Sequence, residues 1–137
     1  MMFDNAVFGE IEYNVWNDFT FNNPFEGEAV KEINGVKLPG DYLEFMKQHN
    51  GGEGDTGNVW VIFFRMEELT EINEDYSVEE YLPDSCIIGS NGGGELLGVD
   101  TRGNYFTVPA IIDEGDKVIL GNYLQEFIVN LNKFFGG

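Results

Sequence analysis

Apolar positions along this chain follow two rhythms. In residues 38–52, LPGDYLEFMKQHNGG, Tyr42, Phe45, Met46 and His49 keep the i, i+3, i+4, i+7 spacing of one helix face. Pro39 suits the helix entrance, because its φ is fixed and it has no N–H to leave unpaired. Asn50, Gly51 and Gly52 tolerate the left-handed backbone of a helix C-cap, so the helix is bounded at both ends. A second stripe, Leu124, Phe127, Ile128, Leu131 and Phe135, predicts a final helix capped by Asn122, with Gln125 three residues on. A further helix is expected after Asn23-Pro24, with Phe25, Ala29 and Ile33 on one face and Asn34-Gly35 as its stop. Gly27 costs it about 1 kcal/mol relative to Ala, so that helix must lean on packing.

Elsewhere the rhythm is that of strands. Ile11, Tyr13 and Val15 alternate with polar neighbours, and Phe19 and Phe21 flank Thr20, giving two strands joined near Asn17-Asp18. Residues 53–58, EGDTGN, read as a polar loop, and 59–64, VWVIFF, as a buried central strand closed by Arg65. Residues 66–84 are broken and acidic; Ser77-x-x-Glu80 reads as a capping box for one helical turn, stopped by Pro83. Short strands at 86–88, 95–99, 105–109 and 118–120 are separated by SNGGG, DTRGN and an exposed DEGD loop, which makes a meander. Phe106 and Val108 share one face of the third. The sum is an α+β fold: a single domain over 1–137, with a mostly antiparallel twisted sheet flanked by helices.

Composition narrows the class. The chain has 137 residues, 42% hydrophobic and 15% aromatic, enough for one packed core and too apolar for disorder. No apolar run approaches the ~18 residues of a membrane span. The first ten residues, MMFDNAVFGE, carry acids and no base, unlike a signal peptide. One cysteine, Cys86, excludes an internal disulfide and fits a reducing compartment, so a cytoplasmic location is expected.

Candidate catalytic chemistry is sparse. His49, the one histidine, sits at a helix end, which favours a packing or dipole role over general-base work. Cys86 opens an apolar strand with no nearby base to lower its pKa, so it reads as core. Ser90 lies in G-S-N-G, not the G-x-S-x-G of a nucleophile elbow. Gly92-Gly93-Gly94 is followed by Glu95 and a strand, where a phosphate loop needs Lys and a helix, so a tight turn is expected. Neither Glu53, Asp55 and Asn58 nor Asp113, Glu114 and Asp116 has the spacing of a calcium loop. No catalytic residue, cofactor or metal site is assigned.

Charge adds the strongest functional signal. There are 25 acidic against 7 basic residues, a net −18, which repels nucleic acid and anionic lipid and attracts a basic protein. No base lies between Arg65 and Arg102. The candidate partner-binding residues are therefore Glu67, Glu68, Glu71, Glu74, Asp75, Glu79 and Glu80, with Tyr76 and Tyr81 as aromatic anchors and Glu53 and Asp55 as outlying acids. The competing reading is a solvated face that serves solubility.

Several of these segments also carry a resemblance. L-P-x-D-Y-x-x-F followed by N-G-G, Trp60 in its apolar run, a second N-G-G at 91–93, and G-N-Y-x-x-E-F from Gly121 occur in the order seen in the SMI1/KNR4 (SUKH) superfamily. The resemblance takes 23–137 as the family-like core and leaves 1–22 as extra N-terminal strands. It implies the same α+β architecture. It also implies an immunity protein that occludes a polymorphic toxin domain, often a nuclease or deaminase, without turnover. The partner would be a basic protein toxin domain, with no nucleic acid and no membrane, and the chain a monomer or weak dimer. The alternative it implies is a regulatory or scaffolding module of the kind tied to fungal cell-wall synthesis; an enzyme is the third class.

Overall fold

The structure, a computed structural model, describes residues 6–8, 11–13 and 15–136. Its centre is a seven-stranded antiparallel sheet. The strands are β3 (Asp18–Phe21), β6 (Gly52–Asp55), β7 (Trp60–Phe63), β8 (Ser85–Ser90), β9 (Glu95–Asp100), β10 (Tyr105–Pro109) and β11 (Val118–Gly121). Their order across the sheet is β11-β10-β9-β8-β7-β6-β3. Two hairpins stand outside it: β1 (Ala6–Phe8) with β2 (Ile11–Tyr13), and β4 (Glu32–Ile33) with β5 (Val36–Lys37). The helices are α1 (Gly40–His49), α2 (Leu69–Asp75), α3 (Val78–Tyr81) and α4 (Leu124–Gly136), with 3-10 turns at Met66–Glu68 and Glu114–Asp116.

The sheet has two differently covered faces. On one, α1 and α4 bury Val61, Phe63, Cys86, Ile88, Leu97, Val99 and Tyr105 in the main core, which also takes Trp16 and Phe19. On the other, Val78 of α3 and Leu82 just after it pack on Ile87, Leu96, Phe106 and Val108 in a smaller core, with Ile72 of α2 alongside. Phe106 and Val108 share the face their alternation assigns them. Asn73, fully buried, donates to Ile87 O (3.0 Å) and accepts from Ile87 N (2.8 Å), tying α2 to the bulged part of β8.

The meander β8–β11 and both long helices form where the pattern places them. Asn50 is left-handed (φ 50°) and caps α1 by donating its N–H to Met46 O. Several local expectations are overturned. No helix spans 25–33; residues 25–31 are irregular, 32–33 form β4, and Asn34-Gly35 (φ 55° and 80°) turns the β4–β5 hairpin instead. Two consecutive positive φ values match the hairpin twist, so Asn-Gly favours a turn over a helix stop here. The Phe25 ring folds over Gly27, where a Cβ would stand 2.5 Å from it. The strands on either side of Asn17 do not pair with each other: β2 pairs with β1, and β3 with β6.

Residues 52–55 form β6 rather than a loop, because glycines at 52 and 54 let Phe19 and the β3 backbone approach closely. The strand β7 is half-buried, not fully: Val61 and Phe63 face the core while Trp60 is exposed. In the acidic segment, Ser77 is left-handed and makes no side-chain cap, and the helix α2 precedes the expected turn at α3. Asn122 contributes its backbone N–H, which donates to Glu126 Oε1, rather than a capping side chain. Phe135 lies outside the buried stripe of α4.

Candidate protein-interaction surface

The helices α2 and α3 are amphipathic in a narrow sense. Leu69, Asn73, Val78 and Leu82 turn inward and every acid turns outward. Glu67, Glu68, Glu71, Glu74, Asp75, Glu79 and Glu80 are all exposed, as are Tyr76 and Tyr81. They do not all have the same work. Glu67 accepts from the Asn50 amide (2.9 Å), and that bond holds its carboxyl below the ordinary range. Asn50 in turn accepts from Met66 N (2.8 Å), so Glu67 helps fasten the end of α1 to the acidic segment. Glu68 accepts from Arg65 N (3.1 Å) and opens the 3-10 turn. Among the described residues, the carboxylates of Glu71, Glu74, Asp75, Glu79 and Glu80 have no hydrogen-bond or ion-pair partner, so their charge is available to a partner.

Tyr76 and Tyr81 meet a residue group that sequence reasoning passed over. With Ala110, Ile111 and Ile112 they line a hollow of about 330 Å³. Ile111 is 93% exposed and Tyr81 55%, an unusual position for side chains that water disfavours. The available signal was the A-I-I run directly after Pro109, apolar where a strand gives way to an acidic loop. Glu53 and Asp55 lie apart from this hollow, on the exposed side of β6. Glu53, Ile62, Arg65 and Glu68 line a groove of about 220 Å³ that joins the sheet to the start of the acidic segment.

The SMI1/KNR4 family model (SUKH-1) matches residues 26–130. The chain belongs to that family. A comparison with curated proteins finds no match. Members of the family are generally non-catalytic, and an immunity role suits the family in general terms.

The residues that carry the family pattern do structural work in this chain. Asp41 accepts from Tyr105 OH (2.6 Å), from Tyr42 N (2.8 Å) and from Leu124 N, joining α1, β10 and the start of α4 through one carboxylate. Asn91 Oδ1 accepts from Gly93 N and Glu95 N, and Ser90 Oγ from Gly92 N, so the glycine run is a turn fixed by its own side chains. His49 stacks on Phe21 with ring centroids 4.0 Å apart, and burial lowers its pKa. The Cys86 thiol is buried and pushed up to about 12, which leaves almost no thiolate at neutral pH. Among the described residues, no three His, Cys, Asp or Glu side chains group to hold a metal, and no helix is long and apolar enough to cross a membrane.

Proposed function

We propose that this SUKH-family chain is an immunity protein that binds a basic toxin domain, of nuclease or deaminase type, and covers its site stoichiometrically. What supports the reading is a juxtaposition. Five exposed carboxylates without partners among the described residues, Glu71, Glu74, Asp75, Glu79 and Glu80, belong to the same short stretch of chain whose Tyr76 and Tyr81 line the hollow with Ile111. Carboxylates placed where substrate phosphates would lie complement a basic site and raise the encounter rate. Aromatic and aliphatic side chains then supply the desolvated contacts that slow dissociation. Occlusion of this kind needs no turnover by the binder.

The test is affinity capture from the native host with mass spectrometry, followed by stopped-flow binding across a salt series. A single tight one-to-one complex with a basic domain is the expected result. Several weak, unrelated partners would replace the immunity reading with a scaffolding one.

A further inference from the structure

We infer that the open half of the sheet, over β3, β6 and β7, is a second docking site, and that it takes an arginine-bearing segment of the basic partner. This rests on the reading of the partner as basic. The cover of α2 and α3 reaches β8–β10 and seals Leu96 and Val108. The same face continues in register through Ser90, Ile62, Glu53 and Thr20, where Ser90 and Ile62 are half-buried and Glu53 and Thr20 are exposed. One cross-strand row along, Asp18, Asp55 and Trp60 stand directly opposite one another. All three are exposed, and Trp60 is 48% exposed.

Two features mark this row as a site and not a solvated face. The first is chemical. Directly opposed side chains on one face of an antiparallel pair sit about 5 Å apart, and like charges there are destabilising. Among the described residues no ion pair relieves Asp18 or Asp55. The second is shape. The Ser90–Gly94 turn runs beside the row: a Cβ at Gly92 would stand 3.4 Å from Ile62 Cδ1 and 3.8 Å from Trp60 Cδ1. The result is a shelf with an aromatic floor, a rigid turn on one side and two carboxylates on the other.

A guanidinium suits that shelf better than an ammonium. Its plane stacks on an indole face, and its fork donates to a carboxylate alongside. Asp55 Oδ1 accepts from Gly57 N (2.9 Å), which holds that side chain in place and leaves Oδ2 to receive the partner. The groove lined by Glu53, Ile62, Arg65 and Glu68 connects the shelf's neighbouring row to the acidic segment. One partner can therefore engage both surfaces.

The experiment is an NMR titration of the full chain with an oligo-arginine peptide, with oligo-lysine and oligo-glutamate as controls. The two indole N–H signals report separately, because Trp16 is buried in the core and Trp60 is not. Oligo-arginine should move the Trp60 indole and the amides of β3, β6 and β7, leaving Trp16 still. Oligo-lysine should bind more weakly, and Asp18→Asn with Asp55→Asn should weaken arginine binding about tenfold. The same double variant should melt above the parent, because it removes an opposed pair of charges while keeping the acceptor for Gly57. A variant with Glu71, Glu74, Glu79 and Glu80 changed to Gln should keep the Trp60 shift. Equal response to lysine and arginine, or a double variant that melts below the parent, would overturn the site. Shifts confined to α2 and α3 would overturn it too while leaving the basic-partner reading intact; silence in both regions would remove both.

Discussion

Replacing Gly51 by Ala separates two costs that usually arrive together. Gly51 has φ 85°, and a Cβ there would stand 2.4 Å from Phe63 O and 2.9 Å from Phe64 O. Gly35 has nearly the same backbone, φ 80°, with nothing within 4 Å of its Cβ position. Gly35→Ala therefore measures the left-handed backbone alone, about 1–2 kcal/mol. Gly51→Ala adds a collision with backbone atoms of β7 that no rotamer can relieve. Its loss should include the same left-handed cost plus strain of about 1–3 kcal/mol as the end of β7 shifts. Both variants are read by urea denaturation followed by circular dichroism, with the slope checked against the parent so that the midpoints report stability. In a chain of this size each kcal/mol moves Tm by roughly 2–4 °C. If Gly51→Ala loses no more than Gly35→Ala, the close approach of the α1 cap to β7 is not what fixes glycine there.

Four further outcomes follow from the structure. Tyr42→Phe should leave stability unchanged or raise it by about 1 kcal/mol, because the buried Tyr42 hydroxyl has no hydrogen-bond partner among the described residues; thermal melts check this. Changing Glu71, Glu74, Glu79 and Glu80 to Gln should slow association with the cognate partner and flatten its salt dependence, while Tyr81→Ala or Ile111→Ser should mainly speed dissociation, about tenfold or more for a true anchor. His49 has its pKa lowered by burial, so the stability it contributes is present above the unfolded value near 6.5 and is lost as pH falls through the folded one. His49→Gln should remove that slope from a plot of stability against pH. At Asp100, burial works to raise the pKa, but N–H donors from Asn104 and Arg102 and the Lys117 ion pair (3.2 Å) hold it below the ordinary value, so its contribution is lost at more acid pH and Asp100→Asn should remove that part.

Long-period patterns were legible because they depend on many side chains at once. The stripe of α4 and the fenced α1 each place several apolar residues on one face, and no local detail can reverse that. Short elements depend on one or two backbone choices, and there the outcome turned on tertiary contacts. Asn34-Gly35 fits a helix stop and a hairpin turn equally well on paper; the partner strands decided it. The EGD of β6 has the composition of a loop, yet it pairs on both sides because its glycines admit β3 and Phe19. The acidic interval was visible as composition, but its internal differences were not. Nothing in the sequence separates Glu67, bonded to Asn50 from seventeen residues earlier, from Glu71, which has no partner among the described residues. Trp60 escaped for a related reason: it sits in an apolar run that reads as a buried strand, while the structure leaves it 48% exposed.

The unequal cover of the two sheet faces explains why both candidate surfaces lie on the same side. The face beneath α1 and α4 holds the large cluster of aromatic residues, and most of the stability of a domain this size comes from such burial. The other face needs two short helices to finish a small core over β8–β10, and its remaining strands can stay open without unfolding the protein. That freedom has a chemical consequence. A sheet face that is not required for folding can hold opposed aspartates and an exposed tryptophan, features that cost stability in isolation and return it when a cation arrives. The rigid sheet fixes the spacing of Asp18, Asp55 and Trp60, while the short helices carry charge over a wider area where position matters less. Steering tolerates that looseness because its range is about 8 Å at physiological salt. Contact does not, because a hydrogen bond weakens within a few tenths of an ångström. On this division, affinity for the partner should depend more on the sheet row than on any one glutamate of α2 or α3.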